Sequence, residues 1–410
     1  MTRVEQKKTP LKTFLGNPVK SMWSLAIPIM VGMGIQTLYT IIDMIFIGRL
    51  GGDAIAAVAF NMPIFFFVMG LSFGLGNGVT ASIARFIGSE DKVNADNSAE
   101  HALVFAFIIS AVLTLLGLLY GKRILIFMGC TKEILPLAWD YLRISCYGIS
   151  FGIFSGFFRS ILAGEGEMKL PMIVAGLGTV LNTILDPIFI FYLDYGVAGA
   201  AWATTISQII VWCIFVYMLF IKNLTYIKFK LKDFSPSSYI MLDIVKVGVP
   251  VSMSMIVMAL GQLVFNRLLV KFSTSAVAAY QIGGRIDMLV FLPIFGIASA
   301  LTTIIGMFYG ANEIDKILSS LGFKCKKSKN SLKDEIPSWR PDITQSIDIV
   351  EEIVRIKGYD QIKTIIPEKI RNFIGLMVEL LAAIPSVVLG LWAIFVMEPF
   401  IRPGLEMLYT

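Results

Sequence analysis

Along this chain apolar residues run for twenty or more positions at a time, and short polar clusters interrupt them: GRLGGD, IGSEDKVNAD, GKR with CTKE, AGEGEMK and DYG. The pattern predicts helices at about 23–47, 54–84, 98–120, 135–163, 170–193, 197–220, 240–270 and 277–310. Each is long enough to cross a hydrocarbon layer of about 30 Å at about 1.5 Å per residue. After about residue 318 the pattern changes. The next stretch is charged and soluble in character. It reads as a helix end, a strand near 331–336, a proline-containing turn and an amphipathic helix near 346–357. From about 373 the chain turns apolar again and predicts one more membrane helix, holding Glu379 and Pro385.

The apolar pattern repeats. Shifted by 222 residues, the first two helices align with the seventh and eighth without a gap: Pro28 on Pro250, Gly74 on Gly296, Thr80 on Thr302, Phe86 on Phe308 and Gly88 on Gly310. Punctuating residues recurring at one offset over about sixty positions indicate two related halves of six helices each, joined by a linker. Halves of this kind form two bundles that rock about a central cavity. The predicted organisation is a tail at 1–20, a first lobe at 21–220, a linker at 221–239, the start of a second lobe at 240–317, a soluble insertion at 318–372, and a further span with its tail at 373–410. The second lobe is incomplete by about three helices. Together with the insertion, this leads us to expect a gene fusion or an assembly error.

Composition agrees and adds orientation. The chain has 410 residues, is 56% hydrophobic and 16% charged, and its mean hydropathy is +0.76, which excludes an ordinary soluble domain. The net charge of +6 is therefore read as topology rather than nucleic-acid affinity. The basic tail (Arg3, Lys7, Lys8, Lys12, Lys20) lacks a cleavage site after a short apolar core, so it reads as a cytoplasmic tail. With the N-terminus inside, Arg85, Lys92, Arg159, Lys169, Lys222, Lys228, Lys230 and Lys232 fall on the inner side and fewer basic residues fall outside. The expected location is the cell (inner or plasma) membrane, multi-pass. Cys130, Cys146, Cys213 and Cys325 have no metal or redox spacing, and three of them read as packing residues. A single histidine, His101, argues against a histidine metal centre or catalytic triad, and no enzyme activity is expected.

Chemistry concentrates in the fifth predicted helix. Asn182 and Asp186 are four residues apart and project from one face of an apolar run. A carboxylate there costs about 2.5–3.5 kcal/mol to insert, so it should face a cavity or a partner. Pro187 removes a backbone donor and invites a break. A polar pair beside a helix defect near mid-membrane is where transporters bind ions. The plainer alternative is a polar pair that only packs helices together.

These residues carry a resemblance. Residues 18–317 resemble the multidrug and toxic compound extrusion (MATE) transporters through LAIPIMVGMGIQTLYTIIDMIFIGRLGGDAIAAVAF, NTILDP, GVAGAAWAT and VAAYQIGGRI. The resemblance implies an all-α polytopic membrane protein, an inverted-V two-lobe bundle. It also implies a cation site for H⁺ or Na⁺ that drives export of drugs or organic cations, with no cofactor required. By that likeness the coupling residues are Asp43, Asn182, Asp186 and Thr204, the kink residue is Pro28, and Gln36 and Tyr39 face the cavity. Two carboxylates sharing a cavity repel, so one should bind a proton readily. With an amide and a hydroxyl they equally offer the oxygen ligands that Na⁺ takes. Pro28 lies about 22 Å from Asp43 along a helix, too far for contact. For Pro28 an ordinary tolerated helix proline, and for Asp43 an interfacial residue near Arg49, remain the plainer readings.

A second resemblance covers 318 to about 372. LSSLGFK, PSWRPDI, DIVEEIVRIKGYD and IIPEK look like the B5 domain of the phenylalanyl-tRNA synthetase beta subunit, a small α+β module. It implies Mg²⁺ held by Asp342, Asp348, Glu351 and Glu352, the last three within about one helical turn. The plainer reading is a solvated acidic helix start. Nothing resembling the synthetase's catalytic or editing parts is present, and aminoacylation is not expected. The expected partners are the lipid bilayer and small-molecule drugs, with the protein a monomer. Nucleic acid enters only if the B5-like segment acts as a tethered RNA- or synthetase-associated module, which is one rival reading. A flippase of lipid-linked saccharides is another.

Overall fold

The computed structural model describes residues 18–229, 234–270, 274–311, 324–327 and 332–335. The chain divides into two compact units, Met1–Asp342 and Ile343–Thr410, and everything described lies in the first. Eight long helices follow one another: α1 (Pro18–Gly48), α2 (Gly52–Gly88), α3 (Lys92–Phe127), α4 (Leu135–Gly164), α5 (Lys169–Pro187), α6 (Gly196–Val216), α7 (Ser238–Val270) and α8 (Thr274–Gly310). A π-helical turn extends α5 over Ile188–Tyr192, and another extends α6 over Tyr217–Ile221. All eight are long and apolar enough to cross a membrane. Their exposed faces carry large apolar side chains such as Phe66, Phe107, Leu119, Val180 and Ile184, which suits lipid and not water.

The periodicity located every one of these helices. The largest difference is at α3, which starts six residues earlier and ends seven later than expected. Its first turn is polar, so hydropathy missed it. Asp91 caps it, accepting from the backbone N–H of Asn94 at 3.1 Å. Cys130 and Cys146 are buried as packing residues, whereas Cys213 is exposed. Beyond α8 the described residues form a two-stranded antiparallel ribbon, β1 (Lys324–Lys327) with β2 (Leu332–Glu335). The sequence anticipated β2 but placed a helix end where β1 lies. Asp342, Asp348, Glu351 and Glu352, and the expected span after residue 373, lie outside the described residues.

For α1 and α2 the main partners are not neighbours in sequence. α1 packs chiefly on α8 and α5, and α2 packs along α7, α4 and α8, while α1 touches α2 only slightly. Under the 222-residue repeat α1 corresponds to α7 and α2 to α8, so each half lays its first helix against the other half's second. The close approaches obey the same rule. Gly74 of α2 meets Ser252 of α7, and the equivalent Gly296 of α8 meets Met30 of α1. Gly88 lies on the backbone of Met307, and Gly310 lies on the backbone of Arg85. Lipid gives helices no hydrophobic reason to associate, so small residues that let backbones approach decide the pairing.

The end of the bundle where α2 and α8 finish is tied closely. Arg85 pairs with Asp243 across α2 and α7. Thr303 donates to the carbonyl of Ala163 at 2.9 Å. The segment between α6 and α7 is strapped to the same end. Both oxygens of Glu165 accept backbone N–H groups, from Tyr226 at 2.8 Å and Ile227 at 2.9 Å. His101 Nε2 accepts from the Ser237 N–H at 3.0 Å and its Nδ1–H donates to the Asn97 carbonyl at 2.8 Å.

Candidate functional site

Four helices, α1, α4, α5 and α6, bring side chains together inside the first half of the protein. Asp43 is on α1, one turn after Tyr39. Asn182 and Asp186 are on the last turns of α5. Thr204 is on α6. Asp43, Asn182 and Asp186 are buried, Asp186 completely. The i, i+4 spacing does what the sequence required. With the Asn182 amide turned so that like groups do not face each other, its nitrogen donates to Asp186 Oδ2 at 2.9 Å and its oxygen accepts from the Thr204 N–H at 3.0 Å. In the opposite orientation the amide would make only a 3.3 Å donation to the Thr204 hydroxyl. Tyr39 and Thr204 join their hydroxyls at 3.2 Å, closing the ring from α1 to α6.

Two oxygens are left over. Asp43 Oδ1 and Asp186 Oδ1 are each buried without a hydrogen-bond partner among the described residues. The charge of Asp43 reaches Asp186, and both act on Tyr39 and Tyr141. An unpaired buried carboxylate oxygen is costly, and each of these two asks for something positive beside it. A proton on one of them, or a small hard cation bound by oxygens, meets that demand. Pro187 ends the regular part of α5 next to Asp186, and the defect appears as the π turn that follows. Such turns recur at functional sites because they free backbone groups and re-aim side chains.

Tyr141 of α4 is the member that sequence reading missed. It is buried, packs edge-on against Phe65 of α2 at 6.0 Å, and lies within range of the charge of both carboxylates. Only its position on α4, four residues before Ser145 and seven before Gly148, put it on the interior strip. Pro28 is buried inside α1 but stands apart from the cluster, as its distance along the helix demanded. Gln36 shares the face of Asp43 one turn beyond Tyr39, is exposed, and makes no side-chain hydrogen bond among the described residues. No group of three metal-ligating His, Cys, Asp or Glu side chains occurs among the described residues.

The MatE family model matches residues 28–188 and 250–324, more than half of the chain and including three of the four helices that build this site. The chain belongs to the MATE family. It is therefore a multi-pass membrane transporter and not an enzyme. Among curated relatives, the Multidrug export protein MepA of Staphylococcus aureus (strain MSSA476) is 28% identical over 324 residues, 77% of this chain and 72% of MepA. The Probable multidrug resistance protein NorM of Thermotoga maritima is 30% identical over 306 residues, 73% of this chain and 65% of NorM. A solved structure described as the outward-facing conformation of a multidrug resistance MATE family transporter of the MOP superfamily superposes with a TM-score of 0.72. It is 36% identical and covers 77% of this chain and 70% of that one. A second family model, the tRNA synthetase B5 domain, matches residues 298–359. That match begins inside α8 and overlaps the MatE match up to residue 324, earlier than the expected start at 318.

Proposed function

We propose that this MATE protein is a cation-coupled exporter of drugs or organic cations, working by alternating access. The pair of unpartnered buried carboxylate oxygens on Asp43 and Asp186 carries the proposal. Binding H⁺ or Na⁺ between them neutralises a charge that the site otherwise holds unpaired, so occupancy changes which packing of α1, α5 and α6 is favoured. Asn182 and Thr204 hold Asp186 in place, Tyr39 carries the change to α1, and Pro28 gives α1 a point at which to bend. The relatives' names, a multidrug export protein and a probable multidrug resistance protein, support the substrate class. A cavity lined by apolar, Met and aromatic side chains, as the sequence leads us to expect, suits broad recognition.

In this reading 21–220 is the first lobe, 221–239 a cytoplasmic linker and 240–317 the start of the second lobe, with the N-terminus inside and the protein acting as a monomer. The test is ethidium export by the full chain in cells and in proteoliposomes under a pH gradient or a Na⁺ gradient imposed one at a time. At least one gradient drives export in the wild type, and Asp43→Asn and Asp186→Asn each abolish it at normal expression. Normal export in both variants would sink the site assignment; no export under either gradient would sink the coupling.

The B5 match supports a second, smaller reading, in which residues after α8 form a tethered RNA- or synthetase-associated module with Mg²⁺ held by Asp342, Asp348, Glu351 and Glu352. Pull-down of tRNA by the full chain in nanodiscs, dependent on Mg²⁺, tests it; no binding removes it. The two intramembrane carboxylates argue against the saccharide flippase.

A further inference from the structure

The interior strip of α4 begins at the carboxylates and ends somewhere different. Tyr141, Ser145, Gly148, Gly152, Gly156 and Arg159 follow at spacings of three and four, so they line one face of the helix. Positional logic reads Arg159 as a residue of the inner interface, five positions before the helix ends, free to reach out to the headgroups. The structure turns it the other way. Its terminal guanidinium nitrogen lies 3.9 Å from where a Cβ of Gly156 would be, over the turn N-terminal to Arg159 and so deeper into the span. Among the described residues nothing else comes within 4 Å of that position. Arg159 is exposed, on the strip that also carries Tyr141 and the three glycines.

A second polar group faces the same strip. The side-chain amide of Gln208, on α6, lies across Gly148 and Gly152. It comes within 2.9 Å of the Cβ position of the first and 3.4 Å of that of the second. Gly152 is one turn, about 6 Å, from Gly156, where the guanidinium rests. Neither Arg159 nor Gln208 makes an ion pair or hydrogen bond among the described residues. A charged group inside a membrane protein ordinarily pairs or serves a ligand. Asp43 and Asp186 do not neutralise it, because Tyr141 and Arg159 are eighteen residues apart, about 27 Å along the helix.

We propose that Arg159, with the Gln208 amide, is an oxyanion subsite at the inner end of the first lobe's cavity, taking a substrate's carboxylate, sulfonate or phosphate group. A guanidinium offers such groups two parallel N–H donors in a plane, and an amide N–H adds a third from the adjacent turn. The subsite makes anionic or zwitterionic amphiphiles substrates alongside cations. It stands far enough from the carboxylates that the bound anion and the coupling cation do not compete for one place.

The experiment is fluorescence anisotropy of carboxyfluorescein, and separately of ethidium, with the full chain in nanodiscs of zwitterionic lipid. Wild type binds carboxyfluorescein. Arg159→Gln weakens that binding by about tenfold or more, while ethidium binds more tightly because a like charge has gone. Arg159→Lys keeps the charge without the fork and loses only part of the affinity. Gln208→Ala weakens carboxyfluorescein alone. Free phosphate at millimolar concentration displaces the dye if the site takes any oxyanion; failure to displace, with the Arg159 effects intact, assigns it to amphiphilic anions. Equal changes for both dyes in Arg159→Gln, or none, overturn the subsite, as does the absence of carboxyfluorescein binding by a wild type that binds ethidium. Binding does not depend on the exporter reading, so a chain that binds carboxyfluorescein through Arg159 but exports nothing defeats the exporter and leaves the subsite standing.

Discussion

Two buried carboxylates in the first lobe have opposite fates. Glu165 lies at the end of α4, 3% exposed, and both its oxygens accept backbone N–H groups of the segment between the halves. Asp186 is 0% exposed, and one of its oxygens has nothing. Burial alone does not separate the two; the tally of hydrogen bonds does. A satisfied carboxylate holds two segments in one arrangement, and giving it a proton only breaks something. An unsatisfied one is destabilised as it stands, and a cation that arrives is welcomed. The same contrast runs through their neighbours. His101 and Asp96 at the strapped end are matched to backbone partners, whereas Asp43 at the site has an orphan oxygen.

The contrast can be broken from either side. The largest effect is expected at the site. Asp186→Asn and Asp43→Asn abolish gradient-driven ethidium export and leave thermal unfolding in detergent unchanged or raised, since each removes an unpaired buried charge. Glu165→Ala should do the reverse, lowering stability by about 3 kcal/mol because two buried N–H groups lose a charged acceptor. Wild-type unfolding in that variant would mean that water replaces the carboxylate and the strap is not structural. A smaller loss of about 1 kcal/mol is expected for His101→Ala, which deletes one neutral acceptor for Ser237. Hydrogen exchange of residues 235–240 reads it, with faster exchange confined to that segment. The smallest effect belongs to Tyr39→Phe. It removes the Thr204 contact but no charge, and export should fall by about threefold, in line with a neutral bond worth about 0.5–1 kcal/mol. A loss as complete as that of Asp186→Asn would instead place the tyrosine hydroxyl among the ion's own ligands.

Much of the site was legible in the sequence. Asn182 and Asp186 announced themselves because a carboxylate and an amide one turn apart on an apolar helix have few uses other than each other and a ligand. Pro187 marked the defect, and its form as a π turn was the only surprise. Asp43, Tyr39 and Thr204 came through family resemblance, and the hydrogen bonds from Tyr39 to Thr204 and from Thr204 to Asn182 tie three helices as that likeness implied. Tyr141 was hidden because a tyrosine one turn inside an apolar helix is, by composition, an interface residue. Arg159 was read only as a topology marker, the usual role of a basic residue near a helix end.

The sequence by itself determined the eight spans, the punctuation between them and the repeat at 222 residues. All of these follow from local hydropathy and from residues whose backbone preferences act in place. Only the tertiary structure decided which helices pair. Segments equally apolar all round carry no record of their partners. The exchange of α1 with α8 and α2 with α7 rests on where glycines let two backbones meet. The direction of the Arg159 side chain and the two empty carboxylate oxygens belong to the same class. They are set by what three or four distant helices leave between them, and a single helix's sequence does not contain that space.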